Sequence, residues 1–209
     1  VALTNGLGKS IQEITKPRSD GDQKYDSATF YSISNCQEGL SRVTLGNFLI
    51  KRVVFEIQEE LPNIKHFGTL SPIPGFRDWF SYLDDVKIKN ILGEVPIDNI
   101  SFLKSSDLKI GDPRIVANKV AITKLVAHYL MNEKNHKQLP INDVCRFHLG
   151  NGAIIDDIII NANVSEVGLN RSFGVMVNYL YELKNIEKNH EEYINNKTII
   201  ISDKLKKII

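Results

Sequence analysis

Cysteine is scarce in this sequence of 209 residues, which contains only Cys36 and Cys145. Two cysteines are too few for a fold held by several disulfides, and this pair does not have the spacing of a metal site. Disulfides are rare in reducing compartments, and the count fits such a compartment. The sequence therefore predicts neither a disulfide framework nor a cysteine-bound metal.

A strong net charge and a long apolar run are also missing. Twenty-six basic side chains against 25 acidic ones leave a net charge of +1, which gives no whole-chain electrostatic reason to expect nucleic acid or an anionic membrane. The longest apolar stretch, residues 153–160, is interrupted by Asp156 and Asp157 and is shorter than the roughly 18 to 20 residues that span a bilayer. We therefore expect no nucleic-acid partner and no membrane partner.

What the sequence does contain is ordinary for a folded domain. Hydrophobic residues make up 42% of the chain and charged residues 24%, and 209 residues suit one domain or two small ones. The chain begins Val-Ala-Leu-Thr, without a methionine and inside a strand-like apolar run. We expect it to be part of a longer protein.

The first half of the chain predicts a strand, a loop, a helix, a second strand and an ordered loop. Residues 28–34 are β-branched and aromatic, which favours a strand, and residues 65–70 return to a strand. Between them, residues 45–61 place apolar side chains at helical spacing, and a proline follows. Residues 71–75 read Ser-Pro-Ile-Pro-Gly, and their two prolines exclude a helix and a central strand.

The second half of the chain alternates between helices and strands. The patterns predict helices at 76–85, 115–134 and 202–209, strands at 153–162 and 175–181, and a loop-rich segment at 91–112. No repeat at the period of solenoid or propeller proteins is visible. Alternating elements followed by two consecutive strands indicate a mixed α/β sheet rather than a purely parallel one.

Two glycine-containing segments are candidates for a phosphate site. Residues 6–10 read Gly-Leu-Gly-Lys-Ser, but a P-loop needs a further glycine where Leu3 stands, so we interpret them as a turn that enters a helix. Residues 37–46 lie between a strand and a helix, where free amides and the positive end of the helix dipole favour a phosphate. A tight turn with Gly46 packed against the sheet explains the same residues.

Two side chains are candidates for catalysis. The prolines that follow Ser71 would hold its hydroxyl in one place, as a positioned hydrogen bond requires; a serine that caps a turn in a rigid connection explains the motif as well. His148 stands between Phe147 and Leu149 and is either a half-buried structural histidine or a general acid or base near neutral pH. No histidine spacing in the sequence is that of a zinc site.

Six segments occur in an order that is specific to one family. They read Phe-Tyr-Ser-Ile-Ser (30–34), Gln-x-Gly-Leu (37–40), Leu-Gly-Asn-Phe-Leu-Ile-Lys-Arg-Val-Val (45–54), Thr-Leu-Ser-Pro-Ile-Pro-Gly-Phe (69–76), Phe-His-Leu-x-Asn-Gly-Ala (147–153) and Gly-x-Met-x-Asn-Tyr-x-Tyr (174–181). Together they resemble the malonyl-CoA decarboxylase family, from the first residues to Tyr193. The fourth and fifth segments are the most specific.

The resemblance implies that residues 1–209 are one catalytic domain of the α/β class, with a GNAT-like (N-acetyltransferase superfamily) mixed sheet flanked by helices. In the family this domain follows a helical N-terminal domain, which we expect to be absent from this sequence. The resemblance assigns catalysis to Ser71 and His148 and places Tyr181 near them. It assigns CoA binding to a loop that consists of Ser41, Arg42, Val43, Thr44, Leu45, Gly46 and Asn47.

The sequence departs from the family pattern at several positions. Arg42 stands where glycine is usual, so that it either crowds the CoA pyrophosphate or supplies a charge to it, and Thr44 replaces a frequent glutamate. Asn163 replaces an aspartate, and Cys145 and Arg146 replace an Ala-Asn pair. The two positions assigned to catalysis are unchanged.

The activity implied is that of a carbon–carbon lyase that converts malonyl-CoA to acetyl-CoA and CO₂ in fatty acid and malonate metabolism. Loss of CO₂ leaves an enolate delocalised into the thioester carbonyl, so neither a cofactor nor a metal is expected. We expect Ser71 to hold the malonyl group and His148 to protonate the new acetyl carbon.

Three alternatives remain at this point: a GNAT-type CoA-dependent acyltransferase, a decarboxylating loading domain of a polyketide pathway, and a CoA-binding module without activity. We expect a cytoplasmic protein, with the mitochondrial matrix or the peroxisome as alternatives. Any homo-oligomer would form through the absent N-terminal domain.

Overall fold

A computed structural model describes residues 1–16, 24–33, 46–105 and 107–209, with the backbone alone at 46–49. Within these segments the strands are β1 (Ala2–Thr4), β2 (Ser27–Phe30), β3 (His66–Thr69), β4 (Ser71–Pro72), β5 (Ile154–Ile159) and β6 (Met176–Leu180). The helices are α1 (Ile11–Ile14), α2 (Gly46–Glu60), α3 (Phe76–Ser81), α4 (Asp85–Leu92), α5 (Pro113–Ala117), α6 (Lys119–Met131), α7 (Asp143–Gly150), α8 (Glu166–Ser172), α9 (Ile186–Asn196) and α10 (Asp203–Lys206). The 3₁₀ turns Ile97–Asn99 and Ser101–Lys104 lie between α4 and α5.

The strands form one mixed sheet. β1 pairs antiparallel with β2, β2 runs parallel to β3, and β6 lies antiparallel to β3, β4 and β5. The pairs Gly68↔Leu180 and Ser71↔Val177 keep one register, so β4 continues the line of β3 along the same edge of β6. This mixed sheet, with helices packed on it, confirms the predicted α/β class.

The parallel strands β2 and β3 separate immediately before Ser71. Their last paired residues are Phe30 and Thr69, and the amide of Leu70 still donates to the carbonyl oxygen of Phe30. Residues 31–33 form no further strand, whereas the chain after Leu70 continues along β6 as β4. We call the place where the pairing of β2 and β3 ends, after Phe30 and Thr69, the fork. Because ligands of open α/β sheets bind beyond the carboxyl ends of the strands, Ser71 follows the fork at a position suited to a ligand.

Apolar clusters cover both faces of the sheet. The larger cluster contains Val177 and Tyr179 together with the buried sides of α2, α4 and α6. The smaller cluster contains Leu70 and Met176 with Ile14 of α1. Neighbouring residues of a strand point to opposite faces, which is why Met176 and Val177 belong to different clusters. Apolar packing therefore stabilises both faces of the sheet around the fork.

The early elements agree with the predictions but are shorter. The strand predicted at 28–34 ends at Phe30, the helix predicted at 45–61 is α2, and the strand predicted at 65–70 is β3. Residues 71–75 are neither a helix nor a central strand, as predicted, although Ser71 and Pro72 form the short β4 at the end of the sheet order. Pro72 is tolerated there because an edge position does not require its missing N–H.

The middle of the chain is more helical than predicted. The segment 91–112, predicted to be loop-rich, begins inside α4 and contains both 3₁₀ turns, and the helix predicted at 76–85 ends at Ser81. The helix predicted at 115–134 is divided into α5 and α6 at Asn118, where the backbone leaves the helical region (φ −107°, ψ 27°). The predictions miss α7, α8 and α9, and the closing helix predicted at 202–209 is limited to α10.

Candidate active site

Ser71 is buried in β4, with 5% of its surface exposed. Its hydroxyl donates a hydrogen bond to Thr69 Oγ1 over 2.8 Å, and its Oγ lies 3.0 Å from His148 Nε2. The structure thus brings together two side chains that are 77 positions apart in the sequence. A serine and a histidine at this distance can exchange a proton.

The loop that follows Ser71 is fixed by hydrogen bonds to its backbone. The carbonyl oxygen of Pro74 accepts one bond from the hydroxyl of Tyr129 (3.0 Å) and another from Nδ2 of Asn142 (2.9 Å). Gly75 has φ +80°, and a Cβ there would lie 2.8 Å from the Tyr129 hydroxyl, so a larger residue would disturb this contact. The two prolines and the two hydrogen bonds together restrict the position of the serine.

His148 lies in the last turn of α7, and the N-cap residue of this helix, Asn142, links the helix to the loop that follows Ser71. The side-chain oxygen of Asn142 accepts a hydrogen bond from the amide of Cys145 (2.8 Å), which caps the helix, while its Nδ2 binds Pro74. One side chain therefore connects the start of α7 to the proline loop. Sliding α7 relative to the loop would break one of these two bonds.

The residues after His148 end the helix. Nδ2 of Asn151 donates to the carbonyl oxygen of Phe147 (2.7 Å). Gly152 has φ +79°, and a Cβ at this position would overlap the carbonyl oxygen of Ile186. Only glycine fits there, so the chain leaves α7 directly behind His148 and enters β5.

The ring of His148 is enclosed by tyrosines and has 3% of its surface exposed. It stacks on Tyr179 with ring centroids 4.5 Å apart, and its Nδ1 lies 2.8 Å from the hydroxyl of Tyr181. Burial lowers the pKa of His148 from 6.5 to about 3, so the imidazole is neutral at pH 7. Burial also raises the pKa of Tyr181, so the phenol keeps its proton.

The hydrogen bonds around His148 run in one direction. Ser71 has a single hydroxyl hydrogen, and while it donates this hydrogen to Thr69 its oxygen can only accept a hydrogen bond from His148. The neutral ring then carries its hydrogen on Nε2, and the bare Nδ1 accepts from Tyr181. The result is a chain of donors from Tyr181 through His148 and Ser71 to Thr69, which we call the proton chain.

Comparison with known proteins identifies the family. The family model for the malonyl-CoA decarboxylase C-terminal domain matches residues 1–209. The chain belongs to the malonyl-CoA decarboxylase family. It is 37% identical over 231 residues to the mitochondrial malonyl-CoA decarboxylase of Rattus norvegicus and 36% identical over 227 residues to that of Anser anser anser. These alignments cover 100% and 98% of the chain but 47% and 45% of the relatives, so the chain spans about half the length of these relatives.

Crystal structures of bacterial malonyl-CoA decarboxylases have the same fold. The enzyme from Rhodopseudomonas palustris matches with a TM-score of 0.87 and 35% identity over 99% of this chain and 48% of that one. The enzyme from Agrobacterium vitis matches with a TM-score of 0.84 and 34% identity over 99% of this chain and 51% of that one. At these identities the likeness extends beyond the fold to the family.

The site residues that the decarboxylase resemblance predicts fall into three groups. Ser71, His148 and Tyr181 come together in the proton chain. Gly46 and Asn47 form the start of α2. The remaining predicted CoA-binding residues lie outside the described part of the chain: Ser41, Arg42, Val43, Thr44 and Leu45. The CoA-binding role of this loop stays a prediction, as does the phosphate site at 37–46.

The predictions miss two residues of this decarboxylase-family site. Strand geometry could have indicated a contact between Thr69 and Ser71, because residues two apart in a strand share a face and both of these carry a hydroxyl. Asn142, followed by Asp143 and an apolar stretch, is an N-cap signal that marks the start of α7. No pattern in the sequence pairs Asn142 with Pro74.

The segment at 6–10 is a turn, as predicted, and two of its backbone amides donate to side chains of the protein. The amide of Gly6 donates to Asp26 Oδ1 (2.7 Å), and the amide of Gly8 donates to Thr29 Oγ1 (2.8 Å). A groove of about 1100 Å³ lies beside this turn, but its lining includes neither Ser71 nor His148. The candidate active site is therefore the proton chain rather than the groove, and the catalytic roles of Ser71 and His148 stay predictions.

Other candidate chemistry is missing from the described segments. Cys145 is buried, and burial raises the pKa of its thiol to about 12, so it is not a thiolate at neutral pH. Within residues 1–16, 24–33, 46–105 and 107–209, no three His, Cys, Asp or Glu side chains are grouped as metal ligands would be. No helix in the same ranges has the length and apolar character that crossing a membrane requires.

Proposed function

We propose that this chain is the catalytic domain of a carbon–carbon lyase that decarboxylates malonyl-CoA to acetyl-CoA and CO₂ in fatty acid and malonate metabolism. The observation that carries the proposal is the buried, neutral proton chain that begins at Tyr181 and reaches Ser71 beside the fork. The family relationship supports the choice of substrate, because relatives that carry this name align over the whole chain.

The chemistry of the substrate explains which groups the site needs. Malonyl-CoA has a carboxylate β to a thioester carbonyl, so the bond between the carboxylate and the α-carbon can break with its electron pair moving into the carbonyl. CO₂ leaves, and an enolate remains. The enolate requires a hydrogen-bond donor near its oxygen and one proton at its α-carbon. The thioester itself accepts the electrons, so the proposal includes no cofactor.

Ser71 and His148 supply the proton in this proposal. The Ser71 proton turns from Thr69 to the α-carbon, and the oxygen takes the hydrogen of His148 Nε2 as it does so. The imidazole is left as an anion, which the hydroxyl of Tyr181 stabilises through its bond to Nδ1. Solvent returns the proton after the products leave. Because Nε2 is bonded to Ser71, the proton passes through the serine rather than directly from the ring.

A neutral histidine suits this reaction better than a charged one. A cation beside the malonyl carboxylate would stabilise the charged substrate relative to uncharged CO₂ and would raise the barrier. Burial lowers the pKa of His148 to about 3, which removes such a cation at neutral pH. The neutral surroundings of His148 thus favour movement of the negative charge out of the malonyl carboxylate and into the thioester.

The test is to incubate the whole natural protein with malonyl-CoA, with and without an acceptor amine or an acyl carrier protein. Release of CO₂ and acetyl-CoA without an acceptor is the expected result. Product that forms only with an acceptor would replace the proposal by the acyltransferase or loading-domain alternative. Binding without turnover would replace it by a CoA-binding module, and His148→Asn serves as the blank in each reaction.

The cytoplasmic location and any assembly through a further domain stay predictions. The animal relatives are named as mitochondrial, which keeps the mitochondrial matrix as the alternative compartment. Fractionation of the source cells with antibodies against the whole natural protein separates the two, and light scattering of that protein measures its assembly.

A further inference from the structure

Thr69 is the acceptor at the end of the proton chain, and it is held rigidly. The residue is fully buried at the end of β3. Its Oγ1 receives the Ser71 hydroxyl at 2.8 Å and the backbone amide of Tyr179 at 3.2 Å. Its carbonyl oxygen also accepts a hydrogen bond from Nδ2 of Asn178 (2.7 Å). Strand β6 thus binds both the side chain and the backbone of Thr69.

The Thr69 hydroxyl oxygen accepts two hydrogen bonds. A backbone amide can only donate, and that of Tyr179 is part of β6 and cannot turn away. The Thr69 oxygen thus accepts hydrogen bonds from two donors, this amide and the Ser71 hydroxyl. Ser71 is left facing His148 with a lone pair, and the ring must present a hydrogen on Nε2.

We infer that Thr69 is a positioning residue that fixes the tautomer of His148, because its hydroxyl holds the Ser71 proton and so keeps a hydrogen on His148 Nε2. The consequence for the reaction rests on the proposed function. With the hydrogen on Nε2, Ser71 and His148 deliver a proton to a carbanion. With a bare Nε2, His148 would instead remove the Ser71 proton and create a nucleophile, which is the arrangement of acyl-transferring serine enzymes. Thr69 selects the first of these two chemistries.

Three variants of the whole natural protein test this role. Thr69→Val keeps the shape of the side chain and removes the hydroxyl, Thr69→Ser keeps the hydroxyl, and Thr123→Val changes a buried threonine of α6. We expect Thr69→Val to lower kcat for malonyl-CoA on the order of tenfold with KM unchanged, as the loss of one hydrogen bond would. Thr69→Ser should recover most of the kcat that Thr69→Val loses, and Thr123→Val should keep the kcat of the parent.

The tautomer itself is read by ¹⁵N NMR of the histidine side chains, with the His148 signals assigned by their absence from His148→Asn. The parent should show hydrogen on Nε2, and Thr69→Val should show a shift towards hydrogen on Nδ1. A parent with hydrogen on Nδ1, a Thr69→Val protein with an unchanged tautomer, or a Thr69→Ser protein as slow as Thr69→Val would each overturn the inference. The parent spectrum needs no turnover and uses a variant only to assign the His148 signals, so it distinguishes failure of this inference from failure of the proposed function.

Discussion

The buried neutral state of His148 predicts that the protein loses stability in mild acid. The pKa of this histidine falls from 6.5 to about 3 on folding, because burial disfavours the charged ring. Between these two values the unfolded state binds a proton that the folded state does not bind. The free energy of unfolding therefore decreases as the pH falls through this window, and the loss levels off only below about pH 3.

The size of the effect follows from the shift. Each pH unit inside the window costs about 1.4 kcal/mol, so near pH 5 the loss relative to the plateau above the window is about 2 kcal/mol. That is a large part of the roughly 5 to 15 kcal/mol that stabilise a typical domain. Asp26 also titrates in acid, since the amide of Gly6 lowers the pKa of its carboxyl, but it does so equally in parent and His148→Asn proteins.

The assay is urea unfolding of the parent, His148→Asn and His136→Asn at several pH values between about 4 and 7. We expect the parent curve to be steeper than that of His148→Asn by about 1.4 kcal/mol per pH unit below pH 6. His136→Asn replaces an exposed histidine and should follow the parent. Parallel curves for the parent and His148→Asn would refute the reasoning, because they would mean that His148 is protonated without cost in the folded protein.

Three further predictions follow from the same geometry. Tyr181→Phe removes the donor to His148 Nδ1 and should lower kcat on the order of tenfold, whereas Tyr82→Phe changes an exposed tyrosine and should keep the kcat of the parent. Steady-state kinetics measure both variants, and equal kcat values for the two would contradict the role of Tyr181. Asn142→Ala loses both the cap of α7 and the bond to Pro74 and should lower the free energy of unfolding by about 1 to 3 kcal/mol, while Asn142→Asp keeps the cap and loses only the bond, so it should lie between Asn142→Ala and the parent. An Asn142→Asp protein with the melting curve of the parent would argue against a contribution from the Pro74 bond, and equal curves for the two variants would argue against one from the cap. Dialysis against a chelator should leave CO₂ release unchanged, and a loss that added metal restores would contradict the proposed reaction.

The order of elements that leads to Ser71 was predictable because the sequence patterns that indicate these elements are local. β-branched residues, helical apolar spacing and Pro62 lie within short windows, and they predict the order β2, α2 and β3. The two prolines after Ser71 indicated a rigid loop for a local reason as well. From these residues alone, however, Ser71 was equally well explained as a turn cap, and only the family resemblance paired it with His148.

The rest of the site depends on contacts between distant parts of the chain. His148 stands in a segment with two glycines, which resembles a loop, yet the cap at Asn142 and the bond to Pro74, 68 positions away, hold it in α7. The bond from the amide of Tyr179 to Thr69 joins residues 110 positions apart and exists only because of the register between β3 and β6. Propensity and periodicity describe neighbours in sequence, so they do not contain this register.

The central claim is that Ser71 and His148 act as one proton-delivering unit. A double-mutant cycle on the whole natural protein measures this directly, with kcat/KM for malonyl-CoA determined for the parent, Ser71→Ala, His148→Asn and the double variant. Each single variant should lose about 10²- to 10³-fold, as removal of one aimed donor does in other enzymes, and the double variant should be no slower than the slower single one. Losses that multiply in the double variant, or full turnover in either single variant, would contradict the account.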